Sequence, residues 1–185
     1  MNENSRICVF IKDNPDDWRE KLDEKKIGIK EKDGLVIFNY DIAADFSDPV
    51  VQEARGIILD LNTLDVVCWP FRKFGNFQES YSDKIDWDTA RVQDKIDGSI
   101  VKLWYLDGWR WSTNSMIDAK DAVSSITSID YLKLIKDTAN YNMIPFDELD
   151  HDYTYIFELT GPLNQIVVHY DIPLLYHIGT RNNRT

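Results

Sequence analysis

Three short turn signals constrain the fold of this chain more than any other feature. Lys32-Asp33-Gly34, Asn62-Thr63 and Asp107-Gly108 each separate two runs rich in β-branched and aromatic residues. Such a tight turn joins antiparallel strands, and a parallel pair would need a long crossover instead. The spacing predicts paired strands over 27–30 and 35–40, over 55–61 and 64–69, and over 99–106 and 109–113. Further strands are expected over 6–12, 153–159, 165–170 and 174–178, the second and third interrupted by Thr160-Gly161-Pro162. Asn14-Pro15 followed by Asp16 and Asp17 reads as a helix start, with Pro in the first turn and the helix running to about Lys25. Pro49 opens a helical turn. Residues 118–138 read as mostly helical, because Ile126, Ile129, Leu132, Leu134 and Ile135 fall near one face. Many hairpins with few helices give an α+β fold of antiparallel sheets with flanking helices, in a single domain over 1–185.

Apolar residues make up 43% of the 185, enough for a substantial core. No window approaches the roughly 20 uninterrupted apolar residues of a membrane helix, and the N-terminal apolar run is too short for a signal peptide. The expectation is a cytoplasmic protein with no membrane partner. Cys8 and Cys68 each sit in an apolar run and read as buried, reduced core residues. The three His and two Cys have no zinc-type spacing, so no metal ligand is assigned. Net charge is -11, so a nucleic-acid role would rest on a local basic pocket rather than on bulk charge.

The segment with the most chemistry in it is Lys95-Ile96-Asp97-Gly98-Ser99. A turn containing Gly98 lets backbone amides approach an anion closely, and a lysine on that turn can aim its amine at the anion. A neutral amine is a good nucleophile for phosphorus, and Asp97 could orient that amine or a metal. By itself K-x-D-G reads as a surface hairpin, since Lys, Asp and Gly are ordinary turn residues and the pattern occurs often by chance.

Four other segments accompany it in a fixed order. They are Ala54-Arg55-Gly56-Ile57-Ile58, Phe71-Arg72-Lys73-Phe74-Gly75-Asn76-Phe77, Trp111-Ser112-Thr113-Asn114-Ser115, and the run from Phe157-Glu158-Leu159 to Val167. With the tail Leu174 to Arg181, this set resembles the bacteriophage-type ATP-dependent RNA ligases of the covalent nucleotidyltransferase superfamily, over about residues 35 to 185. The resemblance implies an enzyme in which Lys95 attacks the α-phosphorus of ATP. AMP is held as a covalent lysine adduct, passes to an RNA 5′-phosphate, and is displaced by a 3′-hydroxyl. Mg²⁺ is the implied cofactor, and the implied partners are RNA ends, those of broken tRNA among them. Arg55 and Lys73 would meet the phosphates, Glu158 the ribose hydroxyl, and Asp97 and Gly98 the nucleotide. Tyr40 would line the same site, although as a residue it reads as core. Taken without the family, Arg55 is as readily a strand-edge ion pair and Lys73 a solvated loop charge. Glu158 is harder to explain away, since a Glu between Phe157 and Leu159 on an apolar strand needs a partner.

The pattern departs from the family in two places. Asn114 stands where the phage-type enzymes usually carry a lysine. The later motifs, an E-G-x-V strand and a K-x-K strand, are absent, so the domain is expected to be incomplete at its C-terminus. A free lysine has a pKa near ~10.4, leaving about one in a thousand as amine at neutral pH, so nucleophilic attack needs cationic neighbours or desolvation. The chain is therefore expected to be one part of a longer enzyme, one chain of a split enzyme that takes a second chain or C-terminal segment as partner, or a remnant. The alternative function is a non-catalytic module that binds nucleotide or RNA ends. DNA ligases and RNA-capping enzymes share K-x-D-G and form a third reading, which the Phe71–Phe77 segment fits less well.

Overall fold

A computed structural model describes residues 2–122 and 129–185. Two four-stranded antiparallel sheets form the framework. The first runs in the order β1 (Ile27–Lys32), β2 (Leu35–Tyr40), β3 (Arg55–Asp60), β4 (Val66–Cys68). The second runs β6 (Trp109–Thr113), β5 (Ser99–Tyr105), β7 (Tyr153–Thr160), β8 (Leu174–Asn182). Each expected hairpin is present, with residues at positive φ at Asp33, Leu64 and Asp107 where the turns need them. The architecture is α+β, as the turn signals predict.

Strand alternation sorts side chains into layers. Val36, Phe38, Ile57 and Leu59 pack with α1 (Arg6–Asp13), α2 (Trp18–Glu24) and α3 (Pro49–Glu53). Leu35, Ile37, Ile58 and Cys68 face the opposite way and meet Trp104 and Ile117. Val101 and Leu103 turn outward to α4 (Tyr131–Tyr141). The order is thus helices, sheet, sheet, helix, and both sheets are covered on both faces. Cys8 and Cys68 are buried free thiols. Among the described residues, no helix is long and apolar enough to cross a membrane.

Some elements depart from the sequence reading. Residues 6–12 form helix α1, not a strand. Ser5 caps it by accepting from the Cys8 N–H, and Ile7, Cys8 and Ile11 make one buried face at helical spacing. The second helix begins later than Asn14-Pro15, with Asp17 at its N-cap. Residues 165–170 are not a strand. The Val167 and Val168 N–H groups donate to the Asp97 carboxylate, both at 2.7 Å, so they are unavailable for a sheet ladder. Residues 118–138 are not one helix: a short 3₁₀ turn at Ala119–Asp121 precedes α4, whose N-cap is Asp130. Ile126 lies outside the described residues.

The N-terminal helix is tied to the first sheet through Glu53, which is 7% exposed. Its carboxylate accepts from Ser5 Oγ (2.8 Å), the Ile7 N–H (2.8 Å) and Trp69 Nε1 (3.2 Å). Removing it would leave three buried donors unpaired, at about 1–3 kcal/mol for each group that water cannot reach. Glu53→Ala is expected to lower unfolding free energy by about 3 kcal/mol, read as a lower urea midpoint with an unchanged slope.

Candidate active site

The K-x-D-G-S segment runs into the first residues of β5, and Gly98 fixes how close it lies to β7. A Cβ at Gly98 would sit 2.3 Å from the Leu159 carbonyl oxygen, so no other residue fits without moving a strand. β5 and β7 pair Ser99 with Leu159 and Ile100 with Glu158, which brings Glu158 beside the lysine turn. Asp97 is engaged by the loop that follows β7. Its carboxylate clamps the Val167 and Val168 amides, and those two hydrogen bonds, together with Lys95, hold it below the usual carboxylate range.

A cleft of about 500 Å³ opens here, lined by Arg55, Gly98, Asn114, Tyr131, Glu158 and Asn164 among others. Its floor is built rigidly. Asn164 donates to the Leu159 carbonyl (2.7 Å) and accepts from Tyr131 Oη (3.1 Å) and Ser99 Oγ (3.2 Å). Glu158 is half-buried. Desolvation raises its carboxyl above the ordinary value, opposed by a hydrogen bond from the Gly98 backbone and by the charges of Lys95 and Arg55. That is the partner set an apolar-flanked glutamate requires.

The expected site residues therefore divide. Arg55, Gly98 and Glu158 line the cleft. Lys95 is exposed and not among the lining residues, but it is in electrostatic reach of Glu158 and Asp97, and it has no hydrogen bond or ion pair among the described residues. Tyr40 and Lys73 lie apart from it. The Tyr40 ring packs edge-on against Phe46 at 5.0 Å, and Lys73 Nζ lies 5.4 Å over the same ring and donates to the Phe74 carbonyl. Tyr40 lines a smaller cleft of about 250 Å³ that meets the first at Ser115. The Arg55 guanidinium lies 5.8 Å from the Phe74 ring.

An RNA ligase family profile matches residues 53–185, the span that holds every residue named above as lining the larger cleft. The chain belongs to the RNA ligase family. Relatives within and near this family include a "Putative bifunctional polynucleotide kinase/RNA ligase" of Autographa californica nuclear polyhedrosis virus, 33% identical over 88% of this chain and 26% of that protein. An RNA ligase of Rhodothermus phage RM378 is 27% identical over 92% of this chain and 46% of its own length. The chain thus spans between a quarter and a half of the RNA ligase relatives it matches.

Sequence reasoning missed Lys102. It is fully buried between the sheets, donates to the Gly56 carbonyl at 2.6 Å, and burial pulls its pKa down to about 8. In Val101-Lys102-Leu103 it looks like an ordinary outward-facing strand residue. The available signal was Leu35-Val36-Ile37-Phe38, an unbroken apolar run that marks a sheet covered on both faces. It also missed Tyr131 and Asn164, whose link is purely tertiary.

Glu158 gives a pH-dependent test. Unfolded, it ionises near 4.5, and folded, above that. In the window just above 4.5 the folded state holds the extra proton, and the stability this supplies is lost as pH rises through the folded value. Glu158→Gln removes the loss, so the variant should gain stability relative to the parent between about pH 4 and pH 7 in urea titrations. A constant difference across that range contradicts the assignment.

Proposed function

We propose that residues 1–185 form the adenylate-accepting domain, of nucleotidyltransferase fold, of an ATP-dependent RNA ligase, with Lys95 as its nucleophile. The observation that supports this most is the neighbourhood of Glu158: a half-buried carboxylate under the influence of Lys95 and Arg55, on one cleft with the close-packed Gly98. In this reading the neutral Lys95 amine attacks the α-phosphorus of ATP. An N–P bond forms, the bond to the bridging oxygen breaks, pyrophosphate leaves, and the amine gives up a proton. An oxygen of an RNA 5′-phosphate then takes the adenylyl group from Lys95. Finally a 3′-hydroxyl attacks the activated 5′-phosphorus and AMP departs. Arg55 neutralises phosphate charge through charge-assisted hydrogen bonds. Glu158 accepts from the ribose. Gly98 admits the nucleotide to the backbone, and Asp97 holds the 161–173 loop against the lysine turn. Lys73 and Tyr40, set one ring away at Phe46, serve the phosphate tail and the outer rim.

Among the described residues, no three His, Cys, Asp or Glu side chains converge to hold a metal. Mg²⁺ would arrive on the triphosphate. The relatives are longer, so the reading includes a further segment or a second chain that completes the grip on the α-phosphate. The substrates follow as RNA ends bearing a 5′-phosphate and a 3′-hydroxyl, broken tRNA among them, joined in the cytoplasm.

The exposure of Lys95 favours a second reading, a module that binds nucleotide or RNA ends without covalent chemistry. Incubation with Mg²⁺ and α-labelled ATP separates the two. Acid-stable label on the chain, alone or extended at its C-terminal end, is expected, abolished by Lys95→Ala and reduced about tenfold or more by Arg55→Ala. Calorimetric ATP binding with no label in either form supports the binding module, and label that survives Lys95→Ala excludes Lys95 as nucleophile. Transfer to 5′-phosphorylated RNA but not to nicked DNA distinguishes an RNA from a DNA ligase.

A further inference from the structure

The register of the first sheet slips at one point. Phe38 pairs with Ile57 and Asn39 with Arg55, which leaves Gly56 as the extra residue of a β-bulge. Gly56 has φ +88, a conformation that suits glycine alone, and a Cβ there would lie 2.4 Å from Lys102 Nζ and 2.8 Å from the Asn114 carbonyl oxygen. A bulge re-aims the side chain beside it. Here that side chain is Arg55, which leaves the strand to line the cleft and donates to the Arg72 carbonyl at 3.3 Å.

The bulge is held from beneath by Lys102. Its Nζ donates to the Gly56 carbonyl at 2.6 Å, and its side chain is fully buried in the layer between the sheets. The other members of that layer include Leu35, Ile37, Ile58, Cys68, Trp104 and Ile117, so an apolar side chain of similar length would fill the position. Burying a cation in such surroundings is costly, and an apolar side chain of similar volume would avoid that cost, against which stands only the one hydrogen bond to the Gly56 carbonyl. Stability of the fold therefore does not account for a lysine here. The charged and titratable groups that act on it are Cys68 from β4 and Arg55 from β3.

We propose that Lys102 is a positioning residue for the phosphate end of the cleft: by holding the Gly56 bulge it aims Arg55 at the polyphosphate. This rests on the ligase reading. It adds a residue that touches no substrate and acts through the backbone of another strand.

The test uses Lys102→Met, Arg55→Ala and the double variant, with binding of ATP and of adenosine measured by calorimetry. Lys102→Met should fold, with thermal stability near the parent's, because relief from burying a cation offsets the loss of the Gly56 carbonyl's donor. It should weaken ATP about tenfold, the size of one misplaced charge-assisted hydrogen bond, and leave adenosine unchanged. Arg55→Ala should show the same split, and the double variant should lose little more than either alone, because both remove one interaction. Gly56→Ala, which drives Lys102 away, should reproduce the ATP-specific loss. Equal losses for ATP and adenosine, additive losses, or unchanged ATP affinity each overturn the proposal. A Lys102→Met protein that does not fold also overturns it, since the lysine is then a tie between sheets. Failure of the parent chain to bind ATP sinks the ligase reading along with this inference, whereas parent binding with an unaffected Lys102→Met variant sinks the inference alone.

Discussion

Everything at the cleft depends on how the two sheets are held against each other. The apolar layer between them supplies the bulk of the contact, and a few polar ties fix the register. The Trp69 N–H donates to Thr154 Oγ1 at 2.8 Å, Asn183 Nδ2 to the Val67 carbonyl at 3.1 Å, and Arg181 Nη1 to the Pro70 carbonyl at 3.1 Å. The Arg181 guanidinium also stacks 3.7 Å over Trp69. Apolar burial is not directional, so it could not by itself choose between neighbouring sheet positions. The hydrogen bonds choose, because a buried group left unpaired in the wrong register would cost more than the slip could return.

The cleft lies across this seam. Arg55 comes from the first sheet, Glu158 from the second, and Gly98 from the turn that leads into β5. The chain is acidic overall, at -11, yet two cations act electrostatically on the half-buried carboxylate that lines the cleft. Local placement outweighs net charge here, because burial weakens the screening that mutes exposed charges. The same logic explains why Asp97, despite its position in the motif, is spent on the loop amides: two short hydrogen bonds from backbone N–H groups hold a carboxylate more firmly than one exposed lysine does.

Local features of the fold were legible in the sequence because they rest on local chemistry. Asp33-Gly34 and Asp107-Gly108 demanded left-handed residues and received them, so both hairpins form where expected. Residues 6–12 misled because Ile7-Cys8-Val9-Phe10-Ile11 is apolar at both strand and helix spacing, and only the Ser5 cap, itself paired with Glu53, decides for the helix. Residues 165–170 misled because their amides are claimed by Asp97, some seventy residues away. At the site, Arg55, Gly98 and Glu158 were readable as an ordered set of motifs. Lys102 was not, since a lysine alternating with apolar residues normally faces water, and only the packing of one sheet on another makes that position interior.

Two lysines now compete for attention, one exposed on the turn and one sealed under Gly56 with its pKa pulled down toward neutrality. Chemistry alone would favour the second amine, whereas access favours the first. Tandem mass spectrometry of the protein after reaction with ATP decides between them by locating the adenylyl group. The account predicts the modification on the peptide carrying Lys95, with Lys102 unmodified. Finding it on Lys102 or on any other lysine would contradict the account.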